Sequence, residues 1–232
     1  MRIAAVVPAA GRGERLGPGG PKALRELAGV PILVHAVRAV AASRAVDLVV
    51  VAAPPEGVSL VASLLADHDI AAELTVVGGG ASRQDSVRLA VATLPPEFAG
   101  VLVHDAARPL VPVELVDAVA AAVRGGAEAV IPVLPVADTV KQVDGAGIVV
   151  NTPDRAGLVA VQTPQGFSRE VLERAHSAAA GDAVTDDAGL VERLGIAVRT
   201  VPGSEEAFKV TRPLDLLLAE AILARRRVDR HR

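Results

Sequence analysis

The chain has 232 residues, a formal charge of −3 and 51% apolar residues, with three Phe, no Trp, no Tyr and no Cys. That length suits one larger domain, or one domain with an excursion, around an aliphatic core. The missing aromatics remove a stacking platform for single-stranded nucleic acid, the charge gives no field for nucleic acid or an anionic membrane, and the missing cysteine excludes disulfides, thiol catalysis and Cys-type zinc sites.

No apolar run approaches the ~18 residues of a membrane span. Met1-Arg2 leads straight into an apolar segment with no signal peptide, so a cytoplasmic place is expected. In chain order, Ile3–Val7 reads as a first buried strand. It breaks into a loop of small residues, Pro8-Ala9-Ala10-Gly11, followed by Gly13, Gly17, Gly19 and Gly20, with Arg15 and Lys22 as its cations. Glycines let successive N–H groups line one concavity, and fixed cations strengthen the hold on an anion. The loop is not a Walker A motif, because no Gly-Lys-Ser/Thr follows. It is not a dinucleotide fingerprint either, because Leu16 stands where Gly or Ala is needed. By itself it reads as a phosphate nest or as a glycine-rich surface turn with solvated charges.

Ile32–Ala42 reads as a helix opened by Pro31, Asp47–Ala53 as a strand and Val58–Asp67 as a helix. Glu73–Val77 is a strand ending in Gly78-Gly79-Gly80, and Asp85–Thr93 is a helix. Gly100–His104 and Ala129–Val133 are further strands, separated by the alanine-rich helix Val113–Gly125. Continuous apolar strands imply burial on both faces, and their alternation with helices implies crossovers and a mostly parallel sheet. After Pro135 the pattern changes. Asp138–Val143 and Ile148–Thr152, joined through Gly145 and Gly147, read as a β-hairpin with polar edges. Leu158–Gln162 is a strand, Arg169–Ala178 and Thr185–Leu194 are helices, Ala197–Pro202 is a strand, and Pro213–Arg226 is the last helix. The expected fold is therefore α/β: residues 1–232 form a single Rossmann-like domain, with 136–157 as a protruding β-hairpin arm.

In open α/β sheets ligands bind beyond the carboxyl ends of the strands, and the unusual residues gather there. Asp105 follows three apolar strand residues and has Ala106 and Ala107 beside it, which leave room for a ligand. It is the candidate metal carboxylate, for magnesium carried with substrate phosphates; a helix cap or a salt bridge with Arg108 is the alternative. His104 is read as structural, no histidine pair has zinc spacing, and no Gly-x-Ser-x-Gly elbow occurs. Arg15, Lys22 and Asp105 together suggest transfer at a triphosphate, in which cations offset charge on the α-phosphorus and departing pyrophosphate.

Taken in order, these segments resemble one family: Pro8-Ala9-Ala10-Gly11 with Arg15 and Pro21-Lys22, His104-Asp105-Ala106-Ala107-Arg108-Pro109, Asp138-Thr139-Val140-Lys141, Thr163-Pro164-Gln165, Thr185-Asp186-Asp187-Ala188 and Lys209-Val210-Thr211-Arg212-Pro213. The family is that of the 2-C-methyl-D-erythritol 4-phosphate cytidylyltransferases, within the nucleotidyltransferase superfamily. The resemblance spans almost the whole chain. It implies transfer of CMP from CTP to 2-C-methyl-D-erythritol 4-phosphate with release of pyrophosphate, in the non-mevalonate isoprenoid pathway, with Mg²⁺ or another divalent cation as cofactor. It further implies that Arg15 and Lys22 hold the triphosphate and stabilise the transition state. Pro8, Ala9, Ala10 and Gly11 would lie along the nucleotide, Gly80 and Ser86 would read the cytosine, and Asp105 would bind the metal. Lys209 would act in catalysis and, with Thr163, Arg108 and Thr185, hold the acceptor. The arm would clasp a second subunit in a homodimer and bring Thr139 and Arg155 to the partner's site.

Two departures stand out. Ala23-Leu24 lack the Gln and aromatic residue common after the lysine, and Ala81-Ser82 stand where acidic residues are common. The rivals are a cytidylyltransferase for another polyol phosphate, such as ribitol 5-phosphate, and a silent nucleotide-binding module. A metal-dependent glycosyltransferase would need an Asp-x-Asp after a central strand, and none follows one.

Overall fold

The computed structural model describes residues 1–11, 22–179 and 185–230. Its elements, in order, are β1 (Arg2–Pro8), β2 (Glu26–Leu27), β3 (Val30–Pro31), α1 (Ile32–Ala41), β4 (Leu48–Ala53), α2 (Val58–Ala66), β5 (Glu73–Gly78), α3 (Arg83–Ala92), β6 (Phe98–Val103) and α4 (Val113–Arg124). There follow β7 (Ala129–Pro135), β8 (Gln142–Val143), β9 (Val149–Asn151), β10 (Val159–Val161), β11 (Gln165–Ser168), α5 (Arg169–Ala178), α6 (Asp187–Arg193), β12 (Arg199–Pro202) and α7 (Pro213–Arg230).

The main sheet has eight strands in the order β10-β7-β11-β6-β1-β4-β5, with β12 also pairing β7. Pairings β6-β1, β1-β4, β4-β5 and β7-β12 are parallel, while β11 runs antiparallel to β6 and β7, and β10 antiparallel to β7. The apolar runs dictate this arrangement. Alternate residues of a strand face opposite sides. In β1, Ile3, Ala5 and Val7 join the core under α1, α2 and α4, while Ala4 and Val6 join the core under α3, α5 and α6. A third cluster, Leu27, Ile32, Leu110, Val210 and Ala219, seats α7 against the β2-β3 turn.

The mostly parallel α/β expectation holds, and the hairpin is a separate two-stranded sheet of β8 and β9. Asp144 shapes its turn, its Oδ1 accepting from the N–H groups of Ala146 and Ile148 at 2.9 Å each. The sequence reading missed β11, placing no strand between residue 162 and α5. Gln165-Gly166-Phe167-Ser168 has too little apolar content to announce a strand; it becomes one by fitting between β6 and β7. Helix starts also shift. Ser82, not a later residue, caps α3 by accepting from Asp85 N–H, and Asp186 caps α6 by accepting from Gly189 N–H, so α6 begins after Thr185.

Gly166 lets α4 close over β11. A Cβ there would stand 2.7 Å from both Val119 Cγ1 and Val123 Cγ2. Gly166→Ala is therefore expected to destabilise the fold by ~1–3 kcal/mol, the usual result of overpacking. A urea midpoint equal to that of the unsubstituted chain would refute this packing account.

Candidate active site

The carboxyl ends of β1, β5 and β6 open on one cavity of about 260 Å³, lined by Pro8, Ala9, Ala10, Gly11, Gly80, Ser86, Asp105 and Ala106, among others. Ala9 N–H bonds to Ala52 O at 2.8 Å and Gly79 N–H to Ala53 O at 2.7 Å, so both loops leave the sheet under control. The loop after β5 can have no side chain at its bend: a Cβ on Gly79 would meet Ala10 Cβ at 2.8 Å. Ser86 is buried and donates to Ser82 O at 2.8 Å while accepting from Gly80 N–H at 3.1 Å. Its hydroxyl is thus spent on holding the Gly79-Gly80 bend. A second cavity, about 460 Å³, lies alongside, lined by Arg108, Gln162, Thr163, Gln165, Thr185 and Asp186, among others. Arg83, Asp105 and Lys209 line both.

Asp105 is at this junction. Its Oδ1 accepts from Arg83 Nε at 3.1 Å and its Oδ2 from Lys209 Nζ at 2.7 Å. Arg83 and Lys209 hold its carboxyl well below the usual carboxylate range, overcoming the burial that pushes the other way. It is therefore a fixed negative charge. Its backbone is fixed too. Thr163 Oγ1 accepts from Asp105 N–H at 3.0 Å and pairs with His104 Nδ1 at 3.1 Å. His104 Nε2 lies 3.0 Å from Arg108 O, a carbonyl that can only accept. The proton therefore sits on Nε2, Nδ1 accepts, and Thr163 donates to it. His104 is a structural strut, as the sequence suggested, and Thr163 has its one proton committed.

Arg108 lines the second cavity, but Nη1 donates to Ala207 O at 2.6 Å and Nη2 to Val161 O at 3.2 Å. It braces the wall as much as it offers charge. Thr185 lines the same cavity. Thr139 and Arg155 line neither, and both are exposed. Arg155 Nη1 donates to Ala137 O. Arg15 lies outside the described residues, as does the side chain of Lys22, whose backbone opens a short helical turn, Lys22–Leu24.

Sequence reasoning gave no role to Arg83, to His176, or to Asp187 within the Thr185-Asp186-Asp187-Ala188 segment. Arg83 Nη1 donates to Asp187 Oδ2 at 2.7 Å, and His176 Nε2 lies 3.0 Å from Asp187 Oδ1. Asp187 also stays below the ordinary carboxylate range, because hydrogen bonding from His176 and the charge of Arg83 outweigh its burial. The available signal was the Asp186-Asp187 pair: one carboxylate caps the helix, which leaves the second unexplained.

A divalent cation fits this donor set. Among the described residues no group of three His, Cys, Asp or Glu could hold a metal alone. One ionised carboxylate facing both cavities, with substrate phosphates and water for the remaining positions, is how magnesium is commonly carried.

The family model for IspD, 2-C-methyl-D-erythritol 4-phosphate cytidylyltransferase, matches residues 3–225. A curated 2-C-methyl-D-erythritol 4-phosphate cytidylyltransferase from Streptomyces coelicolor is 64% identical, over 98% of this chain and 87% of its own. One from Frankia casuarinae is 62% identical, over 97% and 82%. The crystal structure of the enzyme of that name from Thermus thermophilus superposes with a TM-score of 0.77 at 37% identity, covering 96% of this chain and 98% of its own. That of the 4-diphosphocytidyl-2C-methyl-D-erythritol synthase from Anaerococcus prevotii gives 0.83 at 27%, covering 96% of each.

The buried strut makes the fold acid-sensitive. Burial pushes His104 down to about 4 from an ordinary value of 6.5. As pH falls through that interval the unfolded chain takes up a proton that the folded chain refuses, so stability falls, by about 3 kcal/mol in total for this group, and levels off below it. Asp105 and Asp187, both depressed, lose their contributions only at more acid pH, below 3.8. His35, also depressed by burial, adds a slope of the same sign in any variant. Urea unfolding between pH 7 and 4 should therefore show a shallower decline for His104→Gln than for the unsubstituted chain. Parallel declines would rule out His104 as the titrating strut.

Proposed function

The chain belongs to the family of 2-C-methyl-D-erythritol 4-phosphate cytidylyltransferases, and we propose the following division of its residues over the family's reaction. The enzyme transfers CMP from CTP to 2-C-methyl-D-erythritol 4-phosphate, giving 4-diphosphocytidyl-2-C-methyl-D-erythritol and pyrophosphate, in the non-mevalonate isoprenoid pathway. An oxygen of the acceptor phosphate forms a bond to the α-phosphorus of CTP, and the bond from that phosphorus to the bridging oxygen of pyrophosphate breaks. A phosphate monoester is already ionised near neutral pH, so the attack needs no general base. That suits a site whose adjoining histidine, His104, is closed off by Thr163 and Arg108 O.

In this reading the first cavity takes CTP. Pro8, Ala9, Ala10 and Gly11 give it backbone to lie on. Gly80 would offer its carbonyl to the cytosine, in a loop whose shape Ser86 maintains by accepting from the Gly80 N–H. Arg15 and Lys22 hold the triphosphate and offset the charge that grows on pyrophosphate. The second cavity takes the acceptor, whose phosphate meets Lys209, with Thr163, Thr185 and Arg108 around its polyol. Asp105 would hold Mg²⁺ against the nucleotide phosphates; bound there, the ion would neutralise their charge. What supports the reading most is the junction itself: Asp105, Arg83 and Lys209 form a wall common to two cavities, where two phosphate-bearing substrates would have to meet.

The arm, residues 136–157, would embrace a second copy and carry Thr139 and Arg155 to its acceptor cavity. Val143, Ile148, Val149 and Val150 are each more than half exposed on the hairpin, an apolar surface suited to burial in a homodimer. No helix among the described residues is long and apolar enough to cross a membrane, and a cytoplasmic enzyme completes the proposal.

Pyrophosphate release with CTP should appear with methylerythritol phosphate and a divalent cation, and fall away with chelator. Turnover of ribitol 5-phosphate with silence toward methylerythritol phosphate would overturn the acceptor assignment. Arg15→Ala should raise the barrier by about 3 kcal/mol, roughly a hundredfold in rate, as for one lost preorganised donor. Full activity in that variant would remove Arg15 from the mechanism. Deleting the arm should abolish both turnover and the dimer; a fully active monomer would refute the arm's role in trans.

A further inference from the structure

The link behind Asp105 has no place in the division of labour above. Asp187 is 1% exposed, and a charge so buried costs stability unless it is fully paired. Both its oxygens are engaged: His176, itself buried on α5, takes Oδ1, and Arg83 takes Oδ2. A bare packing role would be served as well by an apolar residue of similar size. What a carboxylate adds here is direction. With Oδ1 occupied, Oδ2 faces a single donor, Arg83 Nη1. Arg83 is also anchored through Nε to Asp105. The guanidinium is planar, and two fixed donors on it determine the position of the third nitrogen, Nη2. Among the described residues Nη2 has no protein partner, and the side chain, 30% exposed, lines both cavities.

The link also spans the site mechanically. Arg83 is the first residue of α3, on the loop that closes the nucleotide cavity, and Asp187 is the first residue of α6, just past Thr185 of the acceptor cavity. A cation in the first turn of a helix works against the helix dipole. Two carboxylates offset that at Arg83.

We infer that Asp187, steadied by His176, is a positioning residue for the transfer reaction: it aims Arg83 as a cation shared by the nucleotide and acceptor halves, with Nη2 offered to substrate phosphate. This rests on the cytidylyl-transfer reading. Loss of the anchor leaves Arg83 held by Asp105 alone, and misplacement of such a group by about 1 Å can cost on the order of a hundredfold in rate.

The test is steady-state kinetics of Asp187→Asn, Arg83→Lys and the double variant with CTP, methylerythritol phosphate and Mg²⁺, beside thermal unfolding of each. Asp187→Asn, nearly isosteric but uncharged, should lower kcat ~10- to 100-fold, in the range seen for groups that orient a site at one remove. Because the two residues act as a unit, the double variant should be no slower than Arg83→Lys alone. His176→Gln, whose amide can still donate to Asp187, should retain most of the activity that His176→Leu loses. A folded Asp187→Asn protein with unchanged kcat and KM, or losses that multiply in the double variant, would overturn the inference. If Asp187→Asn fails to fold, Arg83→Lys decides alone: its side chain reaches solvent, and full activity there has the same force. An unsubstituted enzyme that turns over beside equally active variants removes only this inference; one that releases no pyrophosphate removes the functional reading as well.

Discussion

A carboxylate withdrawn from water at the edge of a sheet stays ionised only while cations stay beside it, and Asp105 has two. Arg83 comes from 22 residues before it in the chain and Lys209 from 104 residues after it. Holding all three together requires β6 to deliver Asp105, α3 to begin at Arg83, and the segment before α7 to return across the sheet edge. The turn before β11, which contains the cis Thr163-Pro164 peptide, brings Thr163 Oγ1 to Asp105 N–H. Much of the fold's irregular part, including the antiparallel insertion of β11 between β6 and β7, serves to bring this turn against the end of β6.

The regular part of the molecule was legible because burial on both faces writes itself as continuous apolar runs. Val49-Val50-Val51 and Val101-Leu102-Val103 need no context to be recognised as core strands. Asp105 was legible for a related reason: a charge directly after such a run has nowhere to go but the sheet edge. By contrast, β11 has one large apolar residue, Phe167, and owes its existence to its neighbours' unpaired edges. The ion-pair link of Arg83 and Asp187 was invisible because each residue, taken locally, is an ordinary member of a helix's first turn. Only the fold places them 2.7 Å apart.

The structure also limits what the recognised residues can donate. The family resemblance makes Ser86 and Thr163 ligand contacts, yet each has its hydroxyl proton committed to a protein acceptor. Arg108 is committed only in part: its two terminal nitrogens each donate to a carbonyl, one in β10 and one in the turn near Ala207, while its buried Nε has no partner among the described residues. A motif identifies residues that a site depends on without distinguishing those that meet the substrate from those that shape the wall. Hydrogen-bond accounting makes that distinction, since a donor already spent on a buried carbonyl can be recruited only by leaving that carbonyl unpaired.

The charges at the junction explain why the loop after β1 is indispensable to the functional reading. Arg83, Arg108 and Lys209 face Asp105 and Asp187, so the junction carries three cations against two carboxylates. Asp186 and Glu192, further along the acceptor cavity, lower that balance again. One net positive charge at most cannot balance a triphosphate and a second phosphate brought into the same space. In the proposed division of residues the deficit would be met by Arg15 and Lys22, from the sequence that follows β1, and by a divalent ion that would use Asp105 as its protein ligand. A metal there would also change the balance at the wall itself, since the carboxylate that restrains Lys209 would be shared with the ion, leaving the ammonium group freer to meet the acceptor phosphate. In that reading the carboxylate that anchors two cations would also be the residue that holds the ion, and the ion would supply the charge that the wall lacks.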